Sequence, residues 1–244
     1  MHRLFRLDGE TSDLQDLADL CSAGARMIVR HDEHYYLSVE MQDGVDGEQA
    51  LTLAEDELAT INGLALAWVR SYRAVRVSGV SKVDPDTGKI STSAYAKGSS
   101  NSRSRMRAVG VAIGPDDKAM GHPPVSSESP GQTILDLASK NDALQRALFL
   151  YGKLDHTWRG LYMVLEAIED GNGDEKGLVK KPWGGSRVKD FKATCNSPKA
   201  IGAEARHAST KQGVDAQKLT LPEARKLIRQ LLGEWLEELR SPKP

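Results

Sequence analysis

The 244-residue chain is 39% hydrophobic and 27% charged with a net charge of −1, a balance that excludes disordered and fibrous classes and fits an ordinary globular protein. Aromatic residues make up only 5%, so the core has to come mainly from Leu, Val, Ile and Ala. The length accommodates two domains, each able to bury a core.

Cys21 and Cys195 stand far apart in the sequence, and so sparse a pair reads as two thiols in a reducing compartment. "MHRLFRLDGETSDLQDLADL" has no apolar run behind its basic residues, so no secretory signal peptide is expected. No window approaches the apolar length of a membrane span, and cytoplasm is the expected location. The net charge hides a segregation. Residues 1–60 are acidic, 61–110 basic, and 175–229 basic again. The later segments suit an acidic partner, and association of opposite faces accounts for the split equally well.

In chain order, "TSDLQDLADLCSAG" places Leu14, Leu17, Ala18 and Cys21 at helical spacing behind a Thr11 or Ser12 cap and stops at Gly24, a short amphipathic helix. "ARMIVRHDEHYYLSVEMQ" holds two β-rich runs around His31-Asp32-Glu33-His34, which predicts a hairpin. Good helix formers from about Gly47 to about Arg70 predict a long helix despite Gly63. Asp84-Pro85-Asp86-Thr87-Gly88 is a turn between alternating Val, Ser and Thr runs, hence a second hairpin. "SRMRAVGVAIG" adds a strand near Arg103 to Ile113. The order helix, hairpin, helix, hairpin, strand describes an α+β domain over residues 1–114.

Residues 115–131 are polar and turn-forming, a linker or long loop. Residues 132–244 read as an all-α helical domain. One helix is expected from Thr133 to about Leu154, and another from Asp155 to Glu169 with Trp158, Leu161, Tyr162, Leu165 and Ile168 on its buried stripe. Shorter helices are expected at Ser186 to Ala193 and Pro198 to His207. The final helix is the best marked. Thr220, Pro222 and Glu223 spell an N-cap, a first-turn proline and a capping box, ahead of a stripe from Ala224 to Leu239.

"LFLYGKLDHTWRGLYMVLEAIE", "VKDFKATCNSPKAIGAEARHAS" and "LTLPEARKLIRQLLGEWLEEL", with their helix order and polar Arg-His element, resemble the HEPN superfamily of small α-helical nucleotide- and RNA-binding domains, in particular its uncharacterised bacterial members. The resemblance covers less than half of the chain. It implies RNA or nucleotide association, a homodimer, and a place in a defence or toxin-like system, with a metal-independent ribonuclease activity as one possibility. Arg206 would stabilise phosphorane charge and His207 would move the proton. Ribonuclease members space these residues so that both side chains enter one cleft. Arg206 and His207 are adjacent, and neighbours on a helix project about 100° apart, so they converge only if the helix ends between them. The competing reading is structural: Arg206 pairs with Glu204 or with a carboxylate of another helix, and His207 caps helix-end carbonyls. Arg26 and His31 have the literal spacing but sit in a β-rich run.

The stretch "KGLVKKPWGGSRVKDFK" interleaves Lys180, Lys181, Arg187, Lys189 and Lys192 with Trp183 and Phe191, a pattern suited to single-stranded nucleic acid, with phosphates on cations and bases on rings. Lys199 and Lys211 with Lys192 would hold the backbone, and Asn196 or Thr194 would orient a phosphate or ribose hydroxyl. Trp183 tucked against the core and lysines in solvent are the plain alternative. Arg103, Arg105 and Arg107 would share one strand face.

Other signatures fail. "DGNGDEKG" starts like a calcium loop with Asp170, Asn172 and Asp174, but Glu175 replaces the turn glycine and Lys181 the bidentate glutamate. There is no P-loop and no dinucleotide fingerprint, and Cys195 with His207 is too little for zinc. No cofactor and no metal are implied. The readings left open are an RNA- or nucleotide-binding protein, with or without ribonuclease activity, and a non-catalytic dimerisation or interaction protein with a structural Arg-His pair.

Overall fold

The computed structural model describes residues 2–22, 26–42, 44–83, 90–94, 129–185, 187–207 and 217–241. Its N-terminal region is a five-stranded antiparallel sheet with two helices, and its C-terminal part is helical. Among the described residues no helix is long and apolar enough to cross a membrane.

The sheet runs in the order β2-β3-β1-β4-β5. Its central strand, β1 (His2–Asp8), is one the sequence reading does not predict. Among its described side chains Phe5 and Leu7 are the buried ones, too short an alternation to register as a strand. Partners far along the chain create it. Phe5 faces Leu37 on one side and Val80 on the other. The expected hairpin of β2 (Arg26–His31) and β3 (His34–Glu40) forms, with His31 opposite His34 and Asp32 at φ 54° in the two-residue turn. β4 (Arg76–Val83) and β5 (Ile90–Ala94) make the second hairpin. Its predicted turn at Asp84 to Gly88, the predicted strand at Arg103 to Ile113, Arg103, Arg105, Arg107 and Lys211 lie outside the described residues.

α1 (Thr11–Leu20) is capped differently from the expectation. Glu10 occupies the N-cap without a side-chain bond, and Asp13 points inward to accept from the Arg73 backbone N–H at 3.2 Å. α2 (Gly47–Trp68) starts where Asp46 accepts from the Glu48 and Gln49 amides. Near its end the buried Asn62 accepts from Val75 N–H and from the Tyr72 hydroxyl, and donates to Val75 C=O. Those bonds fix the connection into β4.

The helix expected over residues 133–154 is two helices, α3 (Pro130–Ala138) and α4 (Asp142–Lys153). Asn141 breaks the run because its side chain caps α4 at the Leu144 amide, 3.0 Å away. α5 (Trp158–Gly171) follows behind a Thr157 cap. α6 (Glu175–Lys180), not predicted, is capped by Asp174. α7 (Arg187–Cys195) matches the expected element closely. The helix expected over 198–207 is cut short. α8 (Pro198–Ile201) gives way to a single 3-10 turn at Gly202–Glu204. α9 (Leu221–Arg240) carries the predicted Thr220–Glu223 capping box.

α2 links the two regions, lying across α4 where Gly63 meets Gly152. A Cβ on Gly63 would stand 1.9 Å from the Leu148 carbonyl oxygen, and one on Gly152 1.8 Å from that of Ala59. The interior Gly63 therefore exchanges helix propensity for backbone-to-backbone approach. One apolar cluster runs without a break from Phe5 and Leu37 in the sheet through Leu64 and Leu148 to Leu161, Leu165 and Leu231. Each such leucine stabilises the fold by about 1.5–3 kcal/mol.

Candidate functional site around Arg206 and Lys192

α5 supplies the floor of the site. Its predicted stripe is buried as expected, with Trp158, Leu161, Tyr162, Leu165 and Ile168 all inside. Helical spacing puts Glu166 one turn beyond Tyr162 and places Glu169 on the apolar stripe itself. Glu169 is 7% exposed, and a buried carboxylate needs a partner.

Lys192 of α7 is that partner. Its ammonium donates to both Glu169 oxygens at 3.1 Å and to Glu175 at 2.8 Å, and lies 6.0 Å from the centre of the Tyr162 ring. Burial raises the Glu169 pKa above its ordinary value, and the bond from Lys192 pulls it part of the way back. Burial opposes charge on Lys192 as well, but the bonds to Glu175 and Glu169 outweigh it and hold the Lys192 pKa above its ordinary value.

Arg206 approaches the same tyrosine from the chain that follows the 3-10 turn. Its backbone N–H donates to Cys195 C=O at 2.8 Å, which folds this segment back onto the end of α7. The guanidinium lies over the Tyr162 ring, 4.6 Å from its centroid, and donates to Glu166 at 3.0 Å and to the Tyr162 hydroxyl at 3.3 Å. Arg159 secures the preceding residue by donating to Ala205 C=O at 3.3 Å. His207 is exposed one residue further on, in no helix and with no hydrogen bond, ion pair or ring contact to a described residue. Neither the open groove between α2 and α9 nor that between α2 and α4 is lined by Arg206 or His207.

Several of the remaining basic candidates are paired. Lys181 is paired with Glu238 of α9, which also accepts from Trp183 Nε1 at 3.2 Å. Lys181 lies 5.9 Å from the centre of the Trp183 ring, and that ring is half-buried against the core. Arg187 faces Glu223 at 3.6 Å. Lys180, Lys189 and Lys199 are exposed, and neither Lys180 nor Lys189 pairs with a described residue. Thr194 is fully buried, donating to Asp190 C=O and accepting from Lys218 N–H, so its hydroxyl is committed. Asn196 keeps a buried Oδ1 without a partner among the described residues.

The rejected calcium loop has other duties here. Asp170 pairs with Arg146, Asn172 donates to Ile168 C=O, and Asp174 caps α6. Among the described residues no group of three His, Cys, Asp or Glu is placed to hold a metal. Cys21 and Cys195 are free and buried, and burial pushes each thiol up to about 12.

The acidic half of this network, Glu166, Glu169, Glu175 and Glu238, was not singled out from the sequence. One signal was legible, because Glu169 falls on the stripe defined by Trp158, Leu165 and Ile168, where a charge demands a buried counter-ion. Comparison of the chain with protein-family models, with curated proteins and with solved structures finds no match.

Proposed function

We propose that this chain is a non-catalytic interaction protein in which Arg206 is a structural clasp. The observation that carries the reading is that the Arg206 guanidinium is engaged by Glu166 and Tyr162. A charge-stabilising arginine has to meet the developing charge of a substrate, whereas this one already faces a carboxylate. Among the described residues His207 has no orienting partner of the kind that holds a general base in place. On this reading the HEPN resemblance extends to the order of the helices, and Arg206 serves structure instead of catalysis.

A second reading, RNA or nucleotide held on a basic face, is favoured by Lys180 and Lys189, which are solvent-exposed and pair with no described residue. Phosphate contacts need such uncommitted cations. Labelled single-stranded RNA, incubated with the full chain at low and high salt, separates the readings. The interaction reading expects intact RNA and no binding. Salt-sensitive binding lost in a Lys180→Glu/Lys189→Glu variant establishes the second reading. Cleavage lost in His207→Ala overturns the non-catalytic one.

A further inference from the structure

Gly233 sits in the middle of α9, yet nothing in the described fold requires a glycine there. A Cβ at Gly233 would find its nearest neighbour, the Ala67 carbonyl oxygen, at 4.0 Å, in contrast to the collisions at Gly63 and Gly152. A glycine inside a helix costs about 1 kcal/mol against alanine. Its missing side chain opens onto a groove of about 530 Å³ between the end of α2 and α9. Arg229 sets the width of that groove by donating to the carbonyls of Ala67 and Arg70, which ties α9 to the last turn of α2.

The α9 side of the groove includes Lys226, Gln230, Gly233 and Glu237, which share one exposed stripe at helical spacing. Charge is ordered along it, positive toward the N-terminus and negative toward the C-terminus. Lys226 and Gln230 make no side-chain hydrogen bond or ion pair with a described residue, and the Glu237 carboxylate accepts from Arg240 of its own helix at 2.7 Å.

This order is its own complement under a two-fold axis. If two α9 helices lie antiparallel, crossing between Leu231 and Leu232, Lys226 of each copy faces Glu237 of the other. Gln230 of each copy then faces the Gly233 of the other, where the absent Cβ leaves room for the amide. An isologous contact requires this reciprocity of position and charge. It also answers why a glycine stands where the monomer has no use for one, since close helix approach is the common reason to keep one.

We infer that the exposed stripe of α9 is an antiparallel, isologous interface with a second copy of this chain. The inference names a partner for the interaction reading above and uses a face that excludes Arg206 and His207. Sedimentation velocity of the full chain over a concentration series tests it. A reversible monomer–dimer equilibrium is expected, weakened by salt because exposed pairs are screened. Lys226→Glu alone and Glu237→Lys alone should each sediment as monomer, because each sets like charges opposite one another. The double charge-swap variant should recover the dimer, and so should a mixture of the two single variants. Thermal melts of protein dilute enough to be monomeric should match the wild type, both side chains being exposed, which separates lost association from lost folding.

A wild-type monomer at every concentration, or a dimer indifferent to both single reversals, overturns the interface. The first outcome leaves the groove to a small ligand. RNA cleavage by the wild type would remove the non-catalytic reading without touching this interface, so the two fail separately.

Discussion

Arg206 and Tyr162 form a stacked pair, the guanidinium 4.6 Å from the ring centroid and hydrogen-bonded to the same tyrosine's hydroxyl. Glu166, one turn along α5, completes the clasp. An arginine held by a ring and a carboxylate together has a fixed direction, which ties the chain after α8 to α5.

Removing the clasp should therefore be felt in stability. Arg206→Ala is expected to cost about 1 kcal/mol, the scale of an exposed cation–π contact with a surface ion pair. Arg206→Lys should recover only part of it, because an ammonium neither stacks flat on the ring nor presents the rigid planar fork of donors that a guanidinium offers. Urea melts of these variants with Glu166→Gln in a double-mutant cycle give the coupling directly. A coupling of zero would mean that Glu166 is incidental.

Lys192→Met should produce a stability defect that depends on pH. With the ammonium gone, Glu169 keeps the burial that raises its pKa and loses the bond that lowers it. A carboxyl whose folded-state pKa lies above its unfolded value favours folding while protonated, and that contribution is lost as pH rises through the folded pKa. The variant should thus come closest to the wild type below about 4.3, the unfolded glutamate value. Near neutral pH it should fall behind by about 3 kcal/mol, as for one partner stripped from a buried pair. Adding Glu169→Gln should flatten the dependence. Chemical denaturation at a series of pH values reads both effects.

Two glycine-to-alanine changes should act in opposite directions. Gly63→Ala drives a Cβ into the Leu148 carbonyl and should destabilise by about 1–3 kcal/mol or more, as overpacking does. Gly233→Ala makes only an ordinary van der Waals contact with the Ala67 carbonyl oxygen and should stabilise the monomer by up to about 1 kcal/mol through helix propensity. The larger Gly233→Leu should abolish the proposed dimer. Thermal melts of dilute protein, paired with sedimentation, separate the two consequences.

Neither thiol should react in the native state. Cys21 and Cys195 are buried and pushed up to about 12, so almost no thiolate is available near neutral pH. A disulfide-exchange reagent added to folded protein should be consumed only at the rate of unfolding, and two equivalents should react at once in denaturant. Immediate native labelling would show that one site opens readily.

Elements with their own punctuation were legible from local sequence. The Thr220–Glu223 capping box announced α9, Asp32 and its flanking histidines marked the first hairpin, and the spacing of Trp158, Leu161, Tyr162 and Leu165 gave the buried face of α5. Each signal lies within a few residues of what it specifies, because caps, turns and helical stripes are short-range hydrogen-bonding and periodicity effects. Where the local signal was weak or double, the reading missed. β1 has only two core residues, and the helix over 133–154 hid a cap at Asn141 inside an apolar period.

The sequence by itself determined an α+β N-terminal region, a helical C-terminal part, two thiols and a concentration of basic residues after Glu175. Tertiary structure alone decided which of those cations face solvent. Glu169 reaches Lys192, Glu238 reaches Lys181, and Glu166 reaches Arg206 only because segments far apart in the chain pack side by side. A basic run in sequence records only its own charges. Whether they meet a phosphate or a neighbouring carboxylate depends on residues far along the chain, whose approach is set by burial of the apolar faces they share.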